Sequence, residues 1–125
     1  MLAKERRQHR SDNPTAALGY QLEACRESGG LDAMVIADAD GLALAAAGDA
    51  YVCEEVAGRI VLVGPKIRDF SGTLLDHGQA WDVRMTKVCV DGGELLVCAV
   101  GGSAEGRERQ MHRGADGARR ILRAA

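Results

Sequence analysis

The sequence predicts an α+β domain: a central, mainly antiparallel sheet covered by helices on both faces. Three observations predict it. The apolar run Met34-Val35-Ile36 leads into Asp40-Gly41, a strong hairpin signal, and the chain returns as the small and apolar stretch Leu42–Ala47. A second pair of apolar stretches, Trp81–Val90 and Leu95–Val100, flanks Asp91-Gly92-Gly93-Glu94, again a hairpin turn. Before, between and after these hairpins, apolar residues recur at helical spacing. With 125 residues there is room for one core, and aromatics at 3% make that core aliphatic.

Residues 1–14 read as a basic flexible arm and 15–125 as a single domain. The arm carries Lys4, Arg6, Arg7, His9 and Arg10 against Glu5. It reads as a solvated, frayed terminus or as a segment touching phosphates or acidic lipid. Ser11–Thr15, with Pro14 suited to a first turn, starts a helix over Ala16–Ser28 whose stripe is Ala17, Leu18, Leu22 and Cys25. Gly29-Gly30 ends it. After the first hairpin, Asp49 caps the longest helix, predicted over Ala50–Phe70, with Val52, Val56, Ile60, Val63, Ile67 and Phe70 on one stripe. Gly64-Pro65 predicts a kink or break in it. A rival local reading makes Arg59–Val63 a strand and starts a new helix at Pro65. Ser71–Ala80 reads as a turn with a short strand at Thr73-Leu74-Leu75. Ser103–Ala125 reads as a charged helix, ragged before Gly117 because Gly114 and Gly117 each weaken it by about 1 kcal/mol relative to alanine.

Composition narrows the function classes. The formal charge of −2 offers no global attraction to nucleic acid, and so few aromatics disfavour a base-stacking surface. No stretch approaches the roughly 20 apolar residues of a membrane span, and the basic start is not followed by an apolar run, so the expectation is a cytoplasmic protein. Cys25, Cys53, Cys89 and Cys98 contain no C-x-x-C pair and read as reduced, buried thiols; a strained Cys89–Cys98 bridge across a hairpin is the alternative. Neither metal nor cofactor is expected.

Asp38-Ala39-Asp40-Gly41 after an apolar strand resembles the first motif of haloacid-dehalogenase-type phosphatases, with Asp38 as nucleophile and Asp40 as acid/base. Leu42 stands where that family has threonine, and the later lysine and acidic motifs are missing. The simpler reading makes both aspartates turn residues. Gly101-Gly102-Ser103 reads as a strand-to-helix connector rather than a phosphate cradle, since the lysine of a P-loop is absent. His9, His77 and His112 read as surface residues.

The element order and the first hairpin, Gly30-Leu31 through Val35-Ile36 and Asp38-Ala39-Asp40-Gly41-Leu42 to Gly48, resemble the roadblock (dynein light chain) family over about Thr15–Ala125. The resemblance implies no active site. It implies pairing, as a homodimer or with a similar domain, sheets edge to edge and long helices side by side. It also implies a platform for a small Ras-like GTPase or for motor and scaffold subunits. The small stripe Cys53, Ala57, Val61 and Gly64 reads as the dimer contact, and the polar edge Glu54, Glu55, Arg59, Lys66 and Asp69 as the partner-binding edge. The expected function is a non-enzymatic dimeric regulator or scaffold. A small phosphohydrolase on Asp38 and Asp40 and a dimeric ligand-sensing domain are the alternatives.

Overall fold

The computed structural model describes residues 13–63 and 67–124. Along them run α1 (Pro14–Gly29), β1 (Ala33–Ala37), β2 (Ala43–Gly48), α2 (Ala50–Ile60), β3 (Asp69–Asp76), β4 (Gln79–Val90), β5 (Gly93–Val100) and α3 (Ala104–Ala124). The strands form one sheet in the order β2-β1-β5-β4-β3, with every neighbouring pair antiparallel. The expected architecture is present: α+β, with an antiparallel sheet and helices on both faces.

Local chemistry sets the element ends. Asn13 accepts from the Ala16 N–H at 3.1 Å, with Pro14 in the first turn of α1. Asp49 accepts from the Val52 N–H at 3.0 Å and starts α2. All five residues of β1 are buried because alternate side chains serve two cores. Met34 and Ile36 pack with Leu18, Leu22 and Cys25 of α1 and Met111, Ala115 and Ala118 of α3. Ala33, Val35 and Ala37 pack on the opposite face with Cys53, Val56, Ala57 and Ile60 of α2, together with Val83, Met85 and Cys98.

The helix expected over Ala50–Phe70 is not formed. α2 ends at Ile60, and Leu62 and Val63 turn the chain with N–H bonds to the carbonyls of Arg59 and Ile60. The physical reason lies just beyond. A proline at 65 has no N–H to donate back into a helix, and the residue before a proline is pushed out of helical geometry. The rival reading fails too, because Arg59 and Ile60 are helical and residues 61–63 form a turn. Pro65 itself lies outside the described residues. Ile67 is exposed, and Phe70 belongs to the eight-residue strand β3, which is longer than the expected Thr73-Leu74-Leu75.

The ragged last helix is a second correction, since α3 is continuous through both glycines. They are buried where α3 crosses α1 and the sheet. A Cβ at Gly114 would stand 2.9 Å from Met34 Cε, and one at Gly117 would stand 2.7 Å from Gln21 Cδ. Close packing across those contacts offsets the loss of helix propensity.

Candidate partner-binding face

α2 presents one side to solvent. Tyr51, Glu54 and Gly58 are exposed at helical spacing, and Leu62 continues the line just past the helix. Leu62 is 75% exposed and Tyr51 51%, large values for apolar side chains. The Tyr51 ring meets Trp81 of β4 edge-on at a centroid distance of 6.5 Å. Near the other end of α2, Arg59 Nε donates to the Leu75 carbonyl of β3 at 3.3 Å, and the same guanidinium pairs with Glu55. α2 is thereby tied to the outer strand, and Leu75 adds another exposed apolar side chain there.

β3 is the outermost strand on this side of the sheet. It pairs with β4 from Asp69↔Thr86 to Asp76↔Gln79, and no strand of this chain pairs with its other edge among the described residues. Such an edge carries a row of N–H and C=O groups able to accept another strand. Exposed and half-buried residues alternate along Asp69–Leu75, with Phe70 and Leu74 on the α2 face.

The structure separates the residues expected at the dimer contact. Cys53 and Ala57 are buried in the chain's own core against the sheet, where a second copy cannot reach them. Val61 is half-buried at the end of α2, and Gly64 lies outside the described residues. Of the expected partner-binding edge, Glu54, Glu55 and Arg59 lie together on α2. Asp69 opens β3 and accepts from Arg84 at 3.4 Å, so it is not on a helix with them; Lys66 lies outside the described residues. Tyr51, Leu62 and the β3 edge were not anticipated from the sequence. The period-two alternation of Phe70, Gly72 and Leu74 was the available signal.

Other motifs have structural duties. Asp38 Oδ1 accepts from the Asp40 N–H at 2.9 Å and the Leu42 N–H at 3.0 Å, and the Asp38 N–H donates to the Leu42 carbonyl. The carboxylate that would be a nucleophile holds the hairpin turn. Asp38→Ala is expected to cost about 1 kcal/mol, judged from other side chains that cap backbone N–H groups. Magnesium-dependent phosphatase activity abolished by Asp38→Asn would overturn the turn assignment. Ser103 Oγ accepts from the Gly106 N–H, and Arg107 donates to the Gly101 and Gly102 carbonyls, each at 2.9 Å, so this connector satisfies its own groups. His77 and His112 are exposed, and His112 meets Glu108, whose carboxyl is held low by hydrogen bonds from Arg84 and His112. His9 lies outside the described residues.

The four thiols are free, and Cys25, Cys53 and Cys98 are buried while Cys89 is exposed. Cys89 faces Glu94 and Cys98 faces Met85 across the β4–β5 ladder, so the expected alternative bridge is ruled out by register. Burial pushes Cys98 up to about 12 and Cys53 up to about 11, the latter helped by the Asp49 charge. At pH 8 a thiol reagent is expected to label Cys89 alone while the fold is intact. The unfolded thiols ionise near their ordinary 9.0 while the buried ones stay neutral, so stability is expected to fall as pH climbs from 9 toward 11–12. Fast labelling of more than one thiol would contradict the burial.

No protein-family model and no curated protein matches the sequence. The fold is similar to that of solved structures. Myxococcus xanthus MglB shares 12% identity over 86% of this chain and 88% of its own, with a TM-score of 0.62. An MglB with tetrameric arrangement shares 15% over 87% and 90%, with a TM-score of 0.66. The gliding protein MglB from Thermus thermophilus shares 14% over 90% and 93%, with a TM-score of 0.67. Among the described residues no helix is long and apolar enough to cross a membrane. The shared architecture, together with the Asp38–Leu42 hairpin leading into α2, makes this chain a roadblock-like domain by fold.

Proposed function

We propose that this chain is a non-enzymatic regulator or scaffold that pairs with a second copy, or with a similar domain, and binds a small Ras-like GTPase. The observation that carries this reading is the joint surface of α2 and β3: an open strand edge beside a helix with exposed Tyr51, Gly58 and Leu62. The roadblock-like fold supports it, because that family pairs sheets edge to edge and helices side by side. The tetrameric arrangement of one similar MglB supports assembly beyond a single chain. The copy-to-copy contact is thereby assigned to Tyr51, Gly58, Leu62 and β3 in place of Cys53 and Ala57. Glu54, Glu55 and Arg59 of α2 form the charged rim for the GTPase. Motor or scaffold subunits would meet the same platform.

The test uses a purified Ras-like GTPase from the same source, loaded with a non-hydrolysable GTP analogue. Rim charges set association rate and specificity. Glu54→Arg is expected to weaken binding by about tenfold, the size of a roughly 1.4 kcal/mol contact. Its melting temperature should be unchanged, because Glu54 is exposed. Arg59→Glu is the less clean variant, since it also cuts the tie to Leu75. Equal binding by the parent chain and Glu54→Arg would remove α2 from the GTPase surface.

A further inference from the structure

The middle of β3 has a symmetry of its own. Phe70-Ser71-Gly72-Thr73-Leu74 runs apolar, hydroxyl, glycine, hydroxyl, apolar, the same order from either end. Phe70 and Leu74 lie on the α2 face with Gly72 between them, opposite Val83. Ser71 and Thr73 lie on the other face, opposite Arg84 and Asp82. Backbone hydrogen bonding follows the same alternation. The Lys87 N–H donates to the Arg68 carbonyl at 2.9 Å, and the β3–β4 register runs without a shift from Asp69 to Asp76. In an antiparallel ladder, hydrogen-bonded and non-hydrogen-bonded pairs alternate. The N–H and C=O groups of Phe70, Gly72 and Leu74 are therefore directed at β4, and those of Asp69, Ser71, Thr73 and Leu75 face out of the sheet. The Leu75 carbonyl, which Arg59 Nε reaches at 3.3 Å, belongs to this outward set. Gly72 has no positive φ; what it supplies is room, because a Cβ there would stand 2.8 Å from Phe70 Cζ.

We propose that β3 pairs antiparallel with β3 of an identical chain about a two-fold axis at Gly72. This rests on the pairing of copies proposed above, and it fixes both the partner and the register. A two-fold contact sets residue i on residue j and j on i, so it favours a strand that matches itself. With the axis at Gly72, Phe70 meets Leu74 of the second copy on both sides of the axis, and Ser71 meets its Thr73. Opposed residues of an antiparallel pair share a face, so the register moves only in steps that keep Phe70 and Leu74 on the α2 side. An axis at Ser71 would set Phe70 on Gly72 and Leu74 on Arg68. An axis at Thr73 would set Leu74 on Gly72. The axis at Gly72 alone joins apolar to apolar and hydroxyl to hydroxyl. The outward N–H and C=O groups of Ser71 and Thr73 then exchange hydrogen bonds across the contact. Phe70–Leu74 and Gly72–Gly72 become the non-hydrogen-bonded pairs, whose Cα atoms come closest, about 4.5 Å. Glycine at the axis admits the opposed backbone beside the two Phe70 rings. A domain without this self-matching order would lose the pairs, so the partner is a second copy of this chain.

The test is oxidative cross-linking of the full chain carrying Cys89→Ser, which removes the exposed thiol and leaves the buried ones. Ser71→Cys and Thr73→Cys are introduced separately, both at exposed positions. With the axis at Gly72 the two sites stand opposite each other at about 5.5 Å between Cα atoms, within reach of a disulfide. An equimolar mixture of the two variants is expected to give covalent dimer about tenfold faster than either variant alone. Charge pairing supplies a second readout that needs no disulfide. Ser71→Lys/Thr73→Lys sets like charges opposite each other, and its dimer is expected to dissociate about tenfold more readily in sedimentation than that of Ser71→Glu/Thr73→Lys. Fast cross-linking of Ser71→Cys alone or of Thr73→Cys alone would move the axis and overturn the register while leaving edge pairing in place. A parent chain that is dimeric by light scattering, with no cross-linking in any mixture and both charge pairs sedimenting alike, would overturn the β3 contact but not the pairing of copies. A monomeric parent would overturn both.

Discussion

Gly48→Ala is expected to destabilise the domain by roughly 3 kcal/mol, among the larger effects for a single added methyl group. Gly48 ends β2 with φ +104, a conformation that side chains with a Cβ rarely adopt. It also pairs with Ala33, and a Cβ would stand 2.4 Å from the Asp32 carbonyl oxygen and 3.0 Å from Ala33 Cα. Both obstacles are backbone at the start of β1, which is buried on both faces, so neither can move without opening two cores. For a chain of this size the loss corresponds to a fall in melting temperature of about 10–15 °C. Gly19→Ala is the control with the opposite sign. No atom lies within 4 Å of its added Cβ, and helix propensity predicts a gain of up to about 1 kcal/mol. Thermal melts of the two variants moving in the same direction would contradict the assigned backbone geometry.

Leu62→Arg is expected to raise the dimer dissociation constant about thirtyfold or more, the range of a central interface residue worth about 2 kcal/mol. Leu62 is 75% exposed in the single chain, so the substitution removes almost no packing within it. A charge placed there must be desolvated when two copies close on α2. Sedimentation velocity should therefore show a shift toward monomer with an unchanged thermal transition of the isolated domain. Cys53→Arg offers the contrast: it buries a charge in the chain's own core and should unfold the protein instead of separating copies. If Leu62→Arg sediments as the parent does across a dilution series, α2 is not at the contact.

The hairpins were legible because their signals are local. Asp40-Gly41 and Asp91-Gly92 are turn chemistry written in adjacent residues, and Gly41 and Gly92 do take positive φ. The caps Asn13 and Asp49 likewise act within one helical turn. The end of α2 was harder to read. Val52 through Phe70 keep a helical spacing of apolar residues, yet Phe70 lies in a strand paired with β4. Periodicity over a few residues cannot separate those cases when a glycine and a proline intervene. The small stripe Cys53–Ala57 was legible as a close contact, but the surface it approaches is this chain's own sheet. Which side of a helix faces home is decided by residues distant in sequence, here Val35 and Cys98, and no local pattern carries it. For the same reason no local pattern shows that Gly114 and Gly117 of α3 have Met34 and Gln21 packed against them.

The central claim is that α2 and the free edge of β3 form a surface on which a second chain closes. The most direct measurement is the molar mass of the unmodified protein in solution, by light scattering behind a sizing column at micromolar concentration. The expected result is twice the chain mass of 13.2 kDa, held on dilution until a monomer appears. A stable mass of 13.2 kDa at every concentration, with Tyr51, Leu62 and the β3 edge left in water, would contradict it.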